Sequence, residues 1–168
     1  MSYVKLLRVA AKVGRVTRKY PAEGSLVTEY FRGTIEIDPA MCWGCGACAL
    51  ACPPNSLTTK VEGDRIVIEY FIGRCIFCGR CADVCPKEAI TITKNFEHAS
   101  KSLEDLKYRV IHRVSRCSRC GGPVGAEEEV RNVSERAYPV KASLDLCPSC
   151  RAELLAEALA KYHPRRSR

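Results

Sequence analysis

The 168-residue sequence contains no glutamine, and its asparagines are confined to positions 55, 95 and 132. Such amide-poor usage beside abundant lysine and arginine leans toward a heat-adapted protein. Aromatic residues make up 7% of the chain, and Trp43 is the one tryptophan, so a large aromatic core is not expected. No stretch approaches the ~18 consecutive apolar residues of a membrane-spanning helix. The start, Val4 to Val16, is interrupted by a basic residue every three or four positions, which excludes the apolar run of a secretory leader. The three histidines, His98, His112 and His163, are scattered and read as surface or structural residues rather than ligands. No phosphate-cradling loop, activated nucleophile or acid–base pair stands out, so the sequence offers no active site of its own.

What the sequence has in abundance is cysteine, with twelve residues. Without a leader, that number argues for a reducing compartment and for metal ligation rather than disulfides. Eight of the cysteines write one pattern twice. The first copy runs Cys42-Trp-Gly-Cys45-Gly-Ala-Cys48-Ala-Leu-Ala-Cys52-Pro53, and the second Cys75-Ile-Phe-Cys78-Gly-Arg-Cys81-Ala-Asp-Val-Cys85-Pro86. This is the run that holds a four-iron cluster in bacterial-type ferredoxins, where the fourth cysteine ligates the other cluster. One [4Fe-4S] cluster is therefore expected on Cys42, Cys45, Cys48 and Cys85, and a second on Cys75, Cys78, Cys81 and Cys52. Every ligand slot holds cysteine, so two complete clusters are expected rather than a three-iron site. Structural or disulfide cysteines would not explain a doubled register of this kind.

The formal net charge is +8 with all thiols counted neutral. Each oxidised cluster with its thiolates carries about −2, as does a four-thiolate zinc site, so the loaded protein sits near ~+2. The basic balance partly compensates the cofactors and is poor support for nucleic-acid binding.

Taken in order, residues 1–33 read as an amphipathic helix followed by an extended docking arm. Over residues 3–19, Lys5, Arg8, Lys12, Arg15 and Lys19 share one face and Leu6, Val9, Val13 and Val16 another. That pattern suits a membrane surface or the groove of a membrane-bound partner, and equally a solvated helix packed on its own domain. Tyr20-Pro21 is expected to end the helix.

Residues 34–95 form the two-cluster domain, in which a shift of 33 residues superimposes the two copies without a gap. Strands are expected at 35–37, 57–61, 66–71 and 90–93, with a short helix carrying each fourth cysteine. Trp43, Ile76 and Phe77 would shield the clusters from water, and Arg74 and Arg80 would offset their charge; ordinary packing or docking is the competing reading for each. Residues 96–116 are a linker in which Ser102–Asp105 opens a helical turn and Tyr108–Val114 alternates as a strand.

Cys117-Ser-Arg-Cys120 and Cys147-Pro-Ser-Cys150 are two C-x2-C pairs separated by 26 residues. They suit a closed tetrahedral structural zinc, and a rubredoxin-like iron would use the same ligands. This metal-binding extension, 117–162, ends in a helix from Arg151 to Tyr162 expected to pack on one side, and 163–168 is a solvated basic tail. Glu127, Glu128 and Glu129 in the loop between the pairs speak against a nucleic-acid module.

The whole resembles the two-cluster ferredoxin subunits of the complex I and group 4 membrane-bound [NiFe]-hydrogenase superfamily. The residues that carry the resemblance are Tyr20-Pro21-Ala-Glu23, Tyr30-Phe31-Arg32-Gly33, and the second cysteine run from Cys75 to Pro86. The paired cysteines at 117, 120, 147 and 150 look closer to the small iron–sulfur subunit of formate hydrogenlyase than to the complex I form. The resemblance implies an α+β fold: a bacterial two-cluster ferredoxin with an N-terminal helix and arm and a C-terminal zinc-knuckle extension. It implies an electron-transfer subunit relaying electrons to the hydrogenase module, peripheral on the cytoplasmic face of the cell membrane, among other iron–sulfur and [NiFe]-hydrogenase subunits. The competing readings are the corresponding subunit of complex I or a related dehydrogenase, a free ferredoxin-like carrier and, from a different class, a zinc-dependent nucleic-acid binder.

Overall fold

The computed structural model describes residues 3–17, 19–25, 27–137 and 143–162. The expected basic tail at 163–168 lies outside the described residues. The chain divides after Phe31 into two units.

In the first unit, α1 spans Tyr3–Val13 and buries none of its residues. It stops six residues short of the expected end. Gly14 takes a left-handed conformation at φ 65° and its N–H donates to the Ala10 carbonyl at 3.0 Å, the closing geometry glycine supplies at a helix C-terminus. Arg15, Val16 and Lys19 therefore leave the helical faces, while Lys5, Arg8 and Lys12 remain opposite Leu6, Val9 and Val13. Residues 20–23 form a turn rather than extended chain, with the Glu23 N–H donating to the Lys19 carbonyl at 3.0 Å.

The second unit is built on the repeat. Strands β1 (Ile35–Ile37) and β4 (Ile90–Ile92) pair antiparallel, as do β2 (Leu57–Glu62) and β3 (Arg65–Phe71). Ile35 faces Ile92 and Ile37 faces Ile90. Shifted by the 33-residue repeat, these pairs become Ile68 with Thr59 and Tyr70 with Leu57, both of which β2 and β3 make. The two strand pairs thus share one register across a pseudo-twofold axis. Between them Ile35, Leu57, Ile68, Tyr70, Ile72 and Ile90 form the main core together with Cys48 and Cys81.

Two short helices, α2 (Ala47–Leu50) and α3 (Arg80–Asp83), carry the third cysteine of each run rather than the fourth. Each begins at a left-handed glycine, Gly46 or Gly79, and is capped by Ala51 or Val84. The fourth cysteines, Cys52 and Cys85, fall just beyond, because each precedes a proline that disfavours helical geometry in the residue before it.

The stretch expected to link two metal units is part of the sheet. Strand β5 (Lys107–Arg116) pairs with β3 over seven residues and with β6 (Pro123–Ala126) on its other edge, giving the order β2-β3-β5-β6. Its alternation buries Val110, His112 and Val114, and Tyr108 stacks on Tyr70 at 6.2 Å between ring centroids. Ahead of β5, the Ser102 hydroxyl accepts the Glu104 N–H at 3.3 Å and opens a single 3-10 turn.

The acidic stretch after β6 is helical: α4 spans Glu127–Arg136. Three glutamates occupy its first turn and Arg136 its last, each end matching the sign that the helix dipole favours. Helix α5 (Pro148–Tyr162) follows the last cysteine pair, and its apolar residues Leu154, Leu155 and Leu159 are exposed rather than packed.

One glycine records how closely β5 and β6 lie on the first cysteine run. A Cβ on Gly44 would stand 2.8 Å from both the Ala126 Cβ and the His112 Cδ2, and the residue has φ 75°. Gly44→Ala should lower stability by about 1–3 kcal/mol, read as a lower thermal midpoint of the metal-loaded chain; an unchanged midpoint would mean that this contact is not tight.

Candidate metal centres

The eight cysteines of the repeat gather around two cavities. Cys42, Cys45, Cys48 and Cys85 line the first, and Cys52, Cys75, Cys78 and Cys81 the second. The hollows enclose about 380 and 390 Å³ between their atoms, open mouths included, so each half of the repeat makes the same space. Each set draws three cysteines from one run and the fourth from the other, the grouping expected from the motif.

The surroundings suit clusters held by thiolates. Apolar side chains close the inner walls: Ile37, Ile68 and Ile90 in the first cavity, and Ile35, Leu57 and Ile92 in the second. Burial, with the neighbouring thiols of Cys42 and Cys45, pushes the Cys48 thiol up to about 12, and burial pushes Cys81 up to about 11. Such thiols do not ionise by themselves; bound iron displaces their protons by supplying the compensating charge. Backbone amides also point at sulfur, Phe77 N–H to Cys75 Sγ at 3.4 Å and Ala89 N–H to Cys85 Sγ at 3.3 Å. The donor sets fit one four-iron cluster each.

The flanking residues divide between the cavities. Trp43 lines the first beneath two cations, with the Lys87 Nζ 4.9 Å and the Arg136 Cζ 5.8 Å from its ring centroid. Ile76, Phe77 and Arg80 line the second. Arg74 is exposed beside it in sequence. Tyr70 also reaches the second cavity, and the Thr34 Oγ1 lies 3.1 Å from its hydroxyl. Burial and a hydrogen bond to the Cys75 sulfur push its phenol up, so the O–H stays protonated and available to a thiolate. By the repeat, Ile37 occupies the corresponding place in the first cavity, with no hydroxyl.

Of the histidines, His112 is buried against Gly44, and burial pushes its imidazole down despite Glu128 nearby. It is neutral and packs on the first cysteine loop at Gly44. The cover supplied by His112, Ala126 and Arg136 has no sequence signal, since it comes from strand pairing and from α4. Tyr70 could have been found, because the repeat aligns it with an isoleucine.

At the C-terminal end, the Cys117, Cys120, Cys147 and Cys150 sulfurs all lie within 4.8 Å of one another. The Cys117 N–H donates to the Gly122 carbonyl at 2.8 Å, and the Gly121 N–H to the Cys117 carbonyl at 2.9 Å, closing the first knuckle. The Arg151 guanidinium braces the second through the Ser143 and Leu146 carbonyls at 3.2 and 3.1 Å. Backbone amides of Cys147 and Cys120 hold the Cys117 thiol down at about 6, while hydrogen bonds that the Cys150 thiol donates to the Cys120 and Cys147 sulfurs push it up to about 12. Four sulfurs so close can all be thiolates only around a cation. A closed, all-sulfur tetrahedral set fits structural zinc and leaves no open position for a substrate.

Residues 41–90 match the 4Fe-4S dicluster domain family. The chain is 36% identical over 157 residues to formate hydrogenlyase subunit 6 of Escherichia coli (strain K12), covering 88% of this chain and 87% of that protein. The chain belongs to the formate hydrogenlyase subunit 6 family. An alignment of 157 residues extends well beyond the cysteine repeat. NADH-quinone oxidoreductase subunit I 1 of Koribacter versatilis (strain Ellin345) is 38% identical over 55 residues, covering 30% of this chain and 36% of that protein. A stretch of 55 residues cannot hold both the repeat and the last cysteine pair. A chain in the structure of an archaeal respiratory membrane complex, the membrane-bound sulfane sulfur reductase, is similar at TM-score 0.44 and 27% identity, covering 63% of this chain and 60% of that one.

Two outcomes test the centres. Tyr70→Phe should lower the midpoint potential of one cluster and leave the other unchanged, since it removes a donor to sulfur; EPR redox titration of the loaded chain in which neither potential moved would remove that hydroxyl as a donor. Cys150→Ser should lose about one zinc per chain and keep about eight iron by metal analysis, and a loss of iron instead would mean that the C-terminal set belongs to a cluster.

Proposed function

We propose that this chain is the electron-transfer subunit of a membrane-bound group 4 [NiFe]-hydrogenase or formate-hydrogenlyase-type complex, relaying electrons to its hydrogenase module. One [4Fe-4S] cluster rests on Cys42, Cys45, Cys48 and Cys85 and the other on Cys75, Cys78, Cys81 and Cys52, with zinc on Cys117, Cys120, Cys147 and Cys150. The observation that carries the reading is the pair of equal, apolar-walled cavities, each lined by four cysteines, in a chain of the formate hydrogenlyase subunit 6 family. When bound, each cluster supplies a one-electron redox step.

The protein's part is to hold the two centres on one rigid core and keep water from them. Ile68 walls the first cavity and Tyr70, two residues on in β3, the second, so a single strand fixes their separation. The zinc set, with all four ligands filled by protein, braces the extension that packs over the first cysteine run.

In this reading residues 1–33 are a docking arm, 34–95 the cluster domain, 96–116 the connecting strand and 117–162 the zinc extension. The chain lies peripherally on the cytoplasmic face of the membrane. No described helix is long and apolar enough to cross a membrane, and α1 offers anionic headgroups or a membrane-bound partner its Lys5, Arg8 and Lys12 beside exposed Leu6, Leu7 and Val9. The complex I-type alternative rests on a match too short to hold both the cysteine repeat and the last cysteine pair.

The test is anaerobic purification of the native assembly through a tag on this chain. A nickel-containing large subunit should co-purify, and Cys78→Ser should abolish one cluster signal and block physiological electron flow while leaving the nickel site intact. Unchanged turnover with a depleted cluster would overturn the relay role.

A further inference from the structure

The two halves of the repeat share a backbone but not a cover. Gly44 and Phe77 are equivalent, and both have positive φ, 75° and 53°; Asn55 and Glu88 repeat the match at 52° each. At Gly44 the space where a side chain would stand is taken by His112 and Ala126. In the second copy the same position accepts a phenylalanine. Trp43 lies beneath Lys87 and Arg136, whereas its equivalent, Ile76, lines the second cavity and is 61% exposed. The chain's own C-terminal part therefore roofs the first cysteine loop and leaves the second open.

Charge follows the same division. Arg74 and Arg80 flank the open loop and are exposed, where the first copy has Met41 and Ala47. Arg32, also exposed, donates from Nη1 to the Cys78 carbonyl at 2.8 Å. None of these guanidiniums forms an ion pair among the described residues, and Asp83 is the carboxylate that shares α3 with Arg80. A large apolar residue left in water directly over a redox cavity, inside a rim of arginines, has the composition of a protein interface: an apolar centre with arginine enriched around it.

We propose that the Ile76 loop is the face on which this chain docks a neighbouring redox subunit. The occupant is a protein surface that carries its own one-electron centre beneath an apolar patch rimmed with carboxylates. Electron tunnelling decays steeply with distance, so the partner's centre has to approach where this chain leaves least protein over its own. The first cavity's loop is closed to that approach at Gly44 and Trp43, where His112, Ala126 and Arg136 cover it. The assignment rests on the relay reading and adds to it which of the two loops meets the partner and by what chemistry.

The test uses the intact assembly purified through a tag on this chain, with the photoreactive residue benzoylphenylalanine replacing Ile76. Irradiation should join the chain to a subunit whose own sequence carries cluster-binding cysteines or another one-electron site. Ile76→Glu should weaken retention of that subunit by about tenfold or more, while iron content stays unchanged. An adduct to a subunit with no redox site, or no adduct with redox partners present in the preparation, overturns the docking assignment alone. Retention unchanged with a shifted potential also overturns it, because Ile76 would then act on the cluster and not on a partner. Recovery of the chain with no redox subunit at all overturns the relay reading beneath it.

Discussion

Thiols crowded together in a protein interior cannot all ionise unless a cation lies among them. Each of the three cysteine groups in this chain meets that condition. Cys48 and Cys81 sit in apolar pockets that push their thiols to about 12 and 11, and the last four sulfurs are gathered within 4.8 Å. The remaining core is small: a few isoleucines, Leu57 and Tyr70 between the two cavities, and Ile66, Val114 and Ala126 beyond β3. In a chain with so little apolar bulk, metal–thiolate bonds would supply folding energy that side-chain burial does not.

The second constraint is the repeat. A pseudo-twofold axis requires equal registers in the two strand pairs and equal backbone in the two cysteine loops, and the shared positive φ values at 44 and 77 and at 55 and 88 satisfy it. The halves nevertheless differ. The chain departs from symmetry through single side chains: Tyr70 against Ile37, Ile76 against Trp43, Arg80 against Ala47. The larger departure comes from His112 of β5, Ala126 of β6 and Arg136 of α4, which cover the first cysteine loop and have no counterpart over the second.

That arrangement changes the meaning of the C-terminal extension. As a separate knuckle it would be a docking module joined by a linker. Its first strand instead pairs with β3 along seven residues, so the sheet of the cluster domain and the sheet of the extension are continuous. A metal held by Cys117, Cys120, Cys147 and Cys150 would pin the element whose other end rests on Gly44, so bracing the extension would also brace the first cysteine loop.

Most of the cluster chemistry was legible in residue spacing, because a cluster's ligands are set by local geometry: the turns between Cys42 and Cys48, and between Cys75 and Cys81, are short enough for sequence to dictate. The same holds for the strand register, which follows from the gapless shift of 33 residues. Where local rules competed, the reading failed at the boundaries, as when Gly14 ended α1 before Pro21 could, and when proline displaced Cys52 and Cys85 beyond their helices. By itself, then, the sequence determined which cysteines line each cavity, the twofold strand plan and the class of cofactor. Only the tertiary structure decided which loop His112 and Ala126 cover, and that Trp43 lies under Lys87 and Arg136. Those contacts join residues 44 to 93 positions apart, and no local preference encodes pairings made across such distances in the chain.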